Sequence, residues 1–383
     1  MLLASVLSAN LQTAKRFFIA TVYQISINIF IIIGIFLARA TQFLPWISIG
    51  MVIGNVISFC VLIHGNRNIG MRYKPLLDFK DKNLRRFFVL LLPIMLSTLI
   101  VEINQIVDRN FASSMGEGIV STLSYASKIQ GVFTAFIGMA VGKALFPDMA
   151  RTASDGDIEG LKKHYSTSLK TLLPILLPVA AGLFLLAEPI IRILLERGAF
   201  GSDDTLRTAS VLRIFTFTMF AANISQMQTR MFYARQKTRI TAIVSAGQMI
   251  LNIICILILV NFLDYRGLAL ATSISGMAAL AAYQVLLRRD LGPISVYPRV
   301  EWLKLSIALA AMTVFVWLGR RYMPLMTGDY LKCLMLTGLL VCGAILLYGG
   351  LLIALRTEVA GIAVEAVRKF RNRRNKTSGN GLP

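Results

Sequence analysis

The segment "LSYASKIQGVFTAFIGMAVGKALF" runs from Leu123 to Phe146 and is apolar over most of its length, with a lysine, Lys128, near its start. Apolar runs of about 18 or more residues recur along the chain, and runs of this length are typical of transmembrane helices. Of the 383 residues, 56% are hydrophobic and 15% are charged, whereas about 25% of the residues in a soluble domain are charged. The sequence therefore predicts an all-α polytopic membrane protein.

The apolar runs divide the chain into about ten predicted transmembrane helices. The first two fall within 1–64, and a basic loop, 65–86, separates them from six helices within 87–289. A final helix pair lies within 302–355, before a basic tail at 356–383. The predicted spans are 17–38, 46–64, 87–109, 118–145, 169–186, 205–231, 240–262, 267–287, 302–318 and 331–355.

The charge of the chain is strongly basic, with 40 lysines and arginines against 19 acidic residues. In a soluble protein this excess suggests a nucleic-acid partner. Here 29 basic residues fall in loops, tails or span ends on the side of the two termini, 9 lie toward the other side, and Lys128 and Arg213 lie deeper within spans. This asymmetry follows the positive-inside rule, which predicts cytoplasmic termini and no nucleic-acid partner. The basic loops and tail either contact anionic phospholipids or are simply solvated.

Lys128 lies ten residues past Gly118. At ~1.5 Å per residue this is ~15 Å along the helix, about halfway through a ~30 Å hydrocarbon core. A cation at that depth costs ~2.5–3.5 kcal/mol, so its side chain is expected to face a protein interior or a water-filled cavity. Ser121, Ser124 and Ser127 recur near helical spacing with Lys128, which predicts one polar face on this helix.

Four other charged residues lie in or near the spans. Glu102 is deep in the third span and needs a partner, which Lys128 on the next helix could supply. Lys128 is then either part of a buried ion pair or a cation lining a transport cavity. Asp108 and Arg109 are expected at the level of the lipid headgroups. Arg213, about eight residues into the sixth span, either reaches the outer interface or lines a cavity.

The sequence contains no motif typical of catalysis or of a bound cofactor. No nucleophile has a plausible base, and no glycine-rich phosphate loop is present. The cysteines and histidines lack the spacing of metal ligands, and the cysteines are interpreted as small buried apolar residues. The protein is therefore not expected to be an enzyme or to carry a cofactor. The cysteines and histidines considered are Cys60, Cys255, Cys333, Cys342, His64 and His164.

Five stretches resemble the MurJ/MviN family of lipid II flippases, within the multidrug/oligosaccharidyl-lipid/polysaccharide exporter superfamily. The longest is "INQIVDRNFASSMGEGIVSTLSYASKIQGVFTAFIGMAVGKALFPDMAR" at 103–151. The others are "AEPIIRILLERGAF" at 187–200, "DDTLRTASVLRIF" at 203–215, "RMFYARQKTR" at 230–239 and "YRGLALATSIS" at 265–275. The resemblance covers nearly the whole chain.

The resemblance implies a fold of two six-helix lobes and a final helix pair. The first four family helices have no counterpart here, so 1–64 is interpreted as a remnant of the first lobe. Residues 87–289 correspond to the complete second lobe, and 302–355 to a pair that forms a lipid-tail groove. Lys128 stands where the family has a cavity arginine, so the resemblance implies that it meets the substrate's pyrophosphate. The other candidate substrate-binding residues are Ser124, Ser127, Glu102, Asp108 and Arg213.

The function implied is translocation of an undecaprenyl-pyrophosphate-linked peptidoglycan precursor, lipid II, across the bacterial cytoplasmic membrane by alternating access. Such a protein serves cell-wall synthesis and cell shape. The alternatives are a flippase for exopolysaccharide precursors, a cation-coupled exporter of the same superfamily, or a truncated membrane partner that does not transport. The sequence does not identify a protein partner.

Overall fold

The structure is a computed structural model that describes residues 2–14, 16–67, 82–154, 156–323, 330–358 and 361. Within these ranges the regular elements are all helices, which confirms the all-α prediction. The chain divides into two compact units, unit 1 at Met1–Asp81 and unit 2 at Lys82–Pro383. Most of the predicted basic loop and tail, at 68–81 and 362–383, lies outside the described residues.

Unit 1 contains α1 to α3, and unit 2 contains α4 to α11. The helices are α1 Leu2–Thr13, α2 Phe17–Thr41, α3 Pro45–Arg67, α4 Lys82–Ser113, α5 Ile119–Ser154, α6 Ile158–Leu185, α7 Ala187–Leu195, α8 Ser202–Ala234, α9 Thr238–Leu291, α10 Arg299–Tyr322 and α11 Tyr330–Ala354.

Six helices in the described part of the chain are long and apolar enough to cross a membrane. They are α3, α6, α9, α10, α11 and the Leu91–Ser113 part of α4. Of the other predicted spans, the first falls in α2. The fourth and sixth fall in α5 and α8, which contain Lys128 and Arg213. The seventh and eighth are both contained in α9.

The long helix α9 is two helices joined at a sharp break. Asp264 has φ 48° and ψ −135°, outside the helical region. At Gly267 an added Cβ would lie 2.5 Å from the carbonyl oxygen of Leu259, so no larger residue fits without a backbone shift. The break coincides with the predicted gap between the seventh and eighth spans. We refer to the two parts as the first and second halves of α9.

In unit 1, small residues bring α2 and α3 into close contact. Gly50, Gly54 and Ser58 are buried at every fourth position of α3. A Cβ at Gly50 would lie 2.4 Å from the carbonyl oxygen of Phe30, so this approach requires glycine. The Ser58 hydroxyl donates to the carbonyl oxygen of Tyr23 at 2.6 Å. This is the small-residue packing through which helices associate in lipid, where apolar burial gives little driving force.

In unit 2, α8 packs against α5, α6, α7 and α9 and holds many of the buried side chains. Met219 and Phe232 on α8 are fully buried. Polar contacts also join these helices, because the Gln284 side-chain oxygen on α9 accepts from Gln228 on α8 at 2.7 Å and from Tyr165 on α6 at 3.3 Å. This arrangement holds the second half of α9 against α6 and α8.

Two ionic contacts attach α10 and the segment after α11 to the other helices of unit 2. Near the start of α7, Glu188 pairs with Arg320 of α10 at 2.8 Å. Lys170 of α6 pairs with Glu358, which follows α11, at 2.5 Å. Arg320 lies near the last residues of α6 and α10, whereas Lys170 lies in the half of α6 that begins the helix. The pair formed by α10 and α11 is therefore attached to α6 and α7 at both of its ends.

Candidate substrate-binding cavity

Unit 2 contains a cavity of about 190 Å³ between α4, α5, α8 and the second half of α9, which we call the α4–α5 cavity. Its apolar lining includes Phe215 of α8 and Leu268 of α9. Its polar lining comes mainly from the first two helices of unit 2. These polar residues are Gln105, Asp108 and Arg109 of α4, and Ser124, Ser127 and Lys128 of α5.

The helical spacing of α5 explains how it presents one face to the cavity. The residues of α5 that line the cavity are Val120, Leu123, Ser124, Ser127 and Lys128. They are spaced three and four residues apart, which places their side chains on one face of the helix. The structure thus brings together four predicted site residues, Lys128, Ser124, Ser127 and Asp108. The structure also adds Arg109 and Gln105 to the lining. Both lie in α4 with Asp108, and neither was assigned to a site from the sequence.

Lys128 contacts an aromatic side chain of its own helix. Its ammonium lies 5.9 Å from the ring centroid of Tyr125, within the range of a cation–π contact. Tyr125 in turn packs edge-on against Phe200, with ring centroids 5.8 Å apart. In the described part of the chain, no ion pair within 4 Å includes Lys128. The ion pair with Glu102 that the sequence allowed is absent, and Glu102 is exposed and does not line the cavity.

Asp108 accepts a hydrogen bond from a residue of α9 that was not predicted from the sequence. The Nδ2 group of Asn252, on the first half of α9, donates to Asp108 Oδ1 at 2.9 Å and to Asn104 Oδ1 at 3.0 Å. Asn252 is fully buried, and the Ser275 hydroxyl donates to its oxygen at 3.5 Å. A buried amide needs such partners, because an unsatisfied polar group in an apolar environment is costly. The signal for this contact in the sequence was a polar residue within the seventh apolar run, which contains two asparagines, Asn252 and Asn261.

Arg213 is away from the α4–α5 cavity. Its Nη2 donates to Glu188 at 3.2 Å, and the same Glu188 oxygen accepts from Arg320 at 2.8 Å. Arg320 also donates to the carbonyl oxygen of Leu185 at 2.9 Å. Arg213 therefore neither lines this cavity nor points freely to an interface, but joins α8 to α7 and, through Glu188, to α10.

A sequence model of one family, described as lipid II flippase MurJ, matches residues 1–336. The chain belongs to the MurJ family. Among curated relatives, a probable lipid II flippase MurJ of Rhizobium tropici is 29% identical over 89% of this chain, and one of Rhizobium meliloti (strain 1021) is 27% identical over 96%. The family resemblance seen in the sequence is confirmed, and the relatives are transporters by description.

Solved structures agree with this family at the level of the fold. A lipid II flippase MurJ in an inward closed conformation superposes with a TM-score of 0.71 at 27% identity, covering 93% of this chain and 71% of the other. The Vibrio cholerae MATE transporter VcmN gives a TM-score of 0.59 at 19% identity, over 75% of this chain, which supports the shared fold alone. The predicted all-α polytopic membrane fold is thereby confirmed.

The chain spans about two thirds of the length of these MurJ relatives. It covers 65% of the Rhizobium tropici protein and 70% of the Rhizobium meliloti protein. The family match over residues 1–336 of this chain includes every residue that lines the α4–α5 cavity.

Proposed function

We propose that this protein translocates a polyprenyl-pyrophosphate-linked saccharide, lipid II, across the bacterial cytoplasmic membrane. The observation that supports this most directly is Lys128, which lines a cavity of a MurJ-family chain and has no acidic partner among the described residues. Its charge needs a counter-ion, because a cation inside the bilayer is costly unless it is paired or hydrated. The pyrophosphate of the substrate would supply that negative charge.

In this proposal the α4–α5 cavity receives the pyrophosphate, and it opens in turn to the two sides of the membrane. Ser124 and Ser127 flank Lys128 and offer hydroxyl donors to phosphate oxygens. Asp108, held by Asn252, would keep α4 in place beside them. Hydrogen bonds from an ammonium to phosphate are charge-assisted and stronger than neutral ones.

We further propose that residues 87–289 act as the second lobe, that 302–355 form the groove for the lipid tail, and that 1–64 belong to the first lobe. The 29 to 9 distribution of basic residues supports cytoplasmic termini. Basic loops on that side would meet the anionic phospholipids of the inner leaflet. Movement of charge across the membrane would be biased by the membrane potential, at ~2.3 kcal/mol per charge per 100 mV.

The test is complementation of a flippase-depleted bacterial strain by variants of Lys128. Lys128→Ala removes the cation and is expected to abolish growth, whereas Lys128→Arg keeps the charge and is expected to support it. Glu102→Gln is the matched control, because Glu102 is a charged residue of the neighbouring helix that does not line the cavity. Immunoblots of membranes should show equal amounts of all three variants. Normal growth with Lys128→Ala would reject the proposed role of this lysine.

A further inference from the structure

We propose that Arg109 is a second phosphate-binding residue and that, together with Lys128, it makes the cavity selective for a lipid diphosphate over a lipid monophosphate. This inference rests on the proposed function and adds the chemical basis of its selectivity. The sequence alone placed Arg109 at headgroup level. The structure instead places it in the lining of the same cavity as Lys128.

The charge of Arg109 is available to a ligand. No ion pair within 4 Å includes it in the described part of the chain, and its side chain is exposed. Its sequence neighbour Asp108 is the acidic member of the cavity lining, and that carboxylate accepts from Asn252 on α9. Among the residues that the structure describes, the cavity thus presents two cations without an acidic partner, from two different helices.

The two cations lie at different depths. Arg109 is four residues before the end of α4 at Ser113, and Lys128 is nine residues after the start of α5 at Ile119. The short turn 114–118 joins these two helix ends, so at ~1.5 Å per residue the Cα atoms differ in depth by roughly 8 Å. Long, flexible side chains can reduce this offset, so each cation can meet a different phosphate of one extended diphosphate.

A monophosphate presents one anionic group and can be neutralised by Lys128 alone. A diphosphate carries a second group, which needs a donor set of its own. The planar guanidinium of Arg109 offers paired N–H donors that match two oxygens of one phosphate, a geometry that an ammonium lacks. Losing the interaction with Arg109 should therefore weaken binding of the diphosphate and leave that of the monophosphate almost unchanged.

The experiment compares two probes with the same polyprenyl chain, undecaprenyl diphosphate and undecaprenyl monophosphate. Binding of each to the purified full chain in detergent is measured for the wild type, Arg109→Gln and Lys128→Gln. Because the lipid tail is identical, its contribution cancels in the ratio of the two Kd values. A variant that is merely damaged would lose affinity for both probes together, so the ratio separates selectivity from misfolding.

We expect the wild type to favour the diphosphate by about tenfold, which corresponds to ~1.4 kcal/mol. Arg109→Gln should bring the ratio close to one by weakening diphosphate binding alone, whereas Lys128→Gln should weaken both probes. If Arg109→Gln is not recovered folded, Arg109→Met carries the same expectation. An unchanged ratio in the Arg109 variant would overturn this inference but leave the proposed function standing if Lys128→Gln still weakens both probes. Absence of diphosphate binding by the wild type would overturn both.

Discussion

Replacing Glu188 with glutamine should destabilise unit 2 more than the loss of a single surface charge. One oxygen of Glu188 accepts from Arg213 at 3.2 Å and from Arg320 at 2.8 Å. The side chains are partly shielded from solvent, with 14% of Glu188, 29% of Arg213 and 34% of Arg320 exposed. Glutamine keeps the shape but leaves two neighbouring guanidinium groups without a counter-charge.

The magnitude follows from the depth of these groups. Two unit charges ~4 Å apart attract with ~4 kcal/mol at an effective dielectric constant of ~20. Desolvation of the partners offsets much of this attraction, and exposed pairs contribute at most ~1 kcal/mol. With Glu188 largely buried and the arginines about one third exposed, we expect ~1 kcal/mol for each arm. The total of ~2 kcal/mol should lower the melting temperature by about 4 °C.

The measurement is thermal unfolding of the purified protein in detergent, followed by the loss of the folded peak in size-exclusion chromatography. Glu159→Gln is the matched control, because Glu159 also pairs with a basic residue but is 82% exposed, and it should change the melting temperature by less than about 1 °C. The double variant Glu188→Gln/Arg320→Gln should be less destabilised than the sum of the single variants. Equal melting temperatures for Glu188→Gln and Glu159→Gln would refute this account of the Glu188 contacts.

Two further predictions concern the halves of α9. Gly267→Ala should greatly reduce the yield of folded protein, because the new Cβ would lie 2.5 Å from the carbonyl oxygen of Leu259. Its control is Gly247→Ala, which should be recovered at the normal level because no atom lies within 4 Å of the added Cβ. Equal yields of the two variants would contradict the close contact at Gly267. Asn252→Leu should cost ~1–3 kcal/mol of stability by removing the donor to two α4 side chains, measured by thermal unfolding. Asn261→Leu is its control, since Asn261 is exposed and its amide donates to the carbonyl oxygen of Leu257 in its own helix.

The positions of four cations in unit 2 divide them between two roles. Lys128 and Arg109 line the cavity and form no ion pair in the part of the chain that the structure describes, whereas Arg213 and Arg320 both pair with Glu188 of α7. The first two are therefore suited to a mobile anionic ligand, and the second two to holding helices together. This division of roles explains why the variants above are expected to act on different properties, binding in one case and stability in the other.

Much of the helical organisation was predictable from the sequence. An apolar run identifies a transmembrane helix because every backbone group must be hydrogen-bonded inside the helix when it lies in lipid. The polar face of α5 was equally accessible, because Ser124, Ser127 and Lys128 are related by the spacing of one helix. The break in α9 was expected between 262 and 267, and the structure places it at Asp264.

The sequence by itself thus determined the helical membrane fold, the family and the cation of α5, since each depends on residues close together along the chain. Only the tertiary structure decided which charges meet: Arg213 with Glu188, Asp108 with Asn252, and Arg109 with the cavity. These contacts join helices that are 25 to 144 residues apart or depend on how α4 is rotated about its axis. Helical periodicity places a side chain on a face of its own helix, but the neighbour of that face is set by packing between helices.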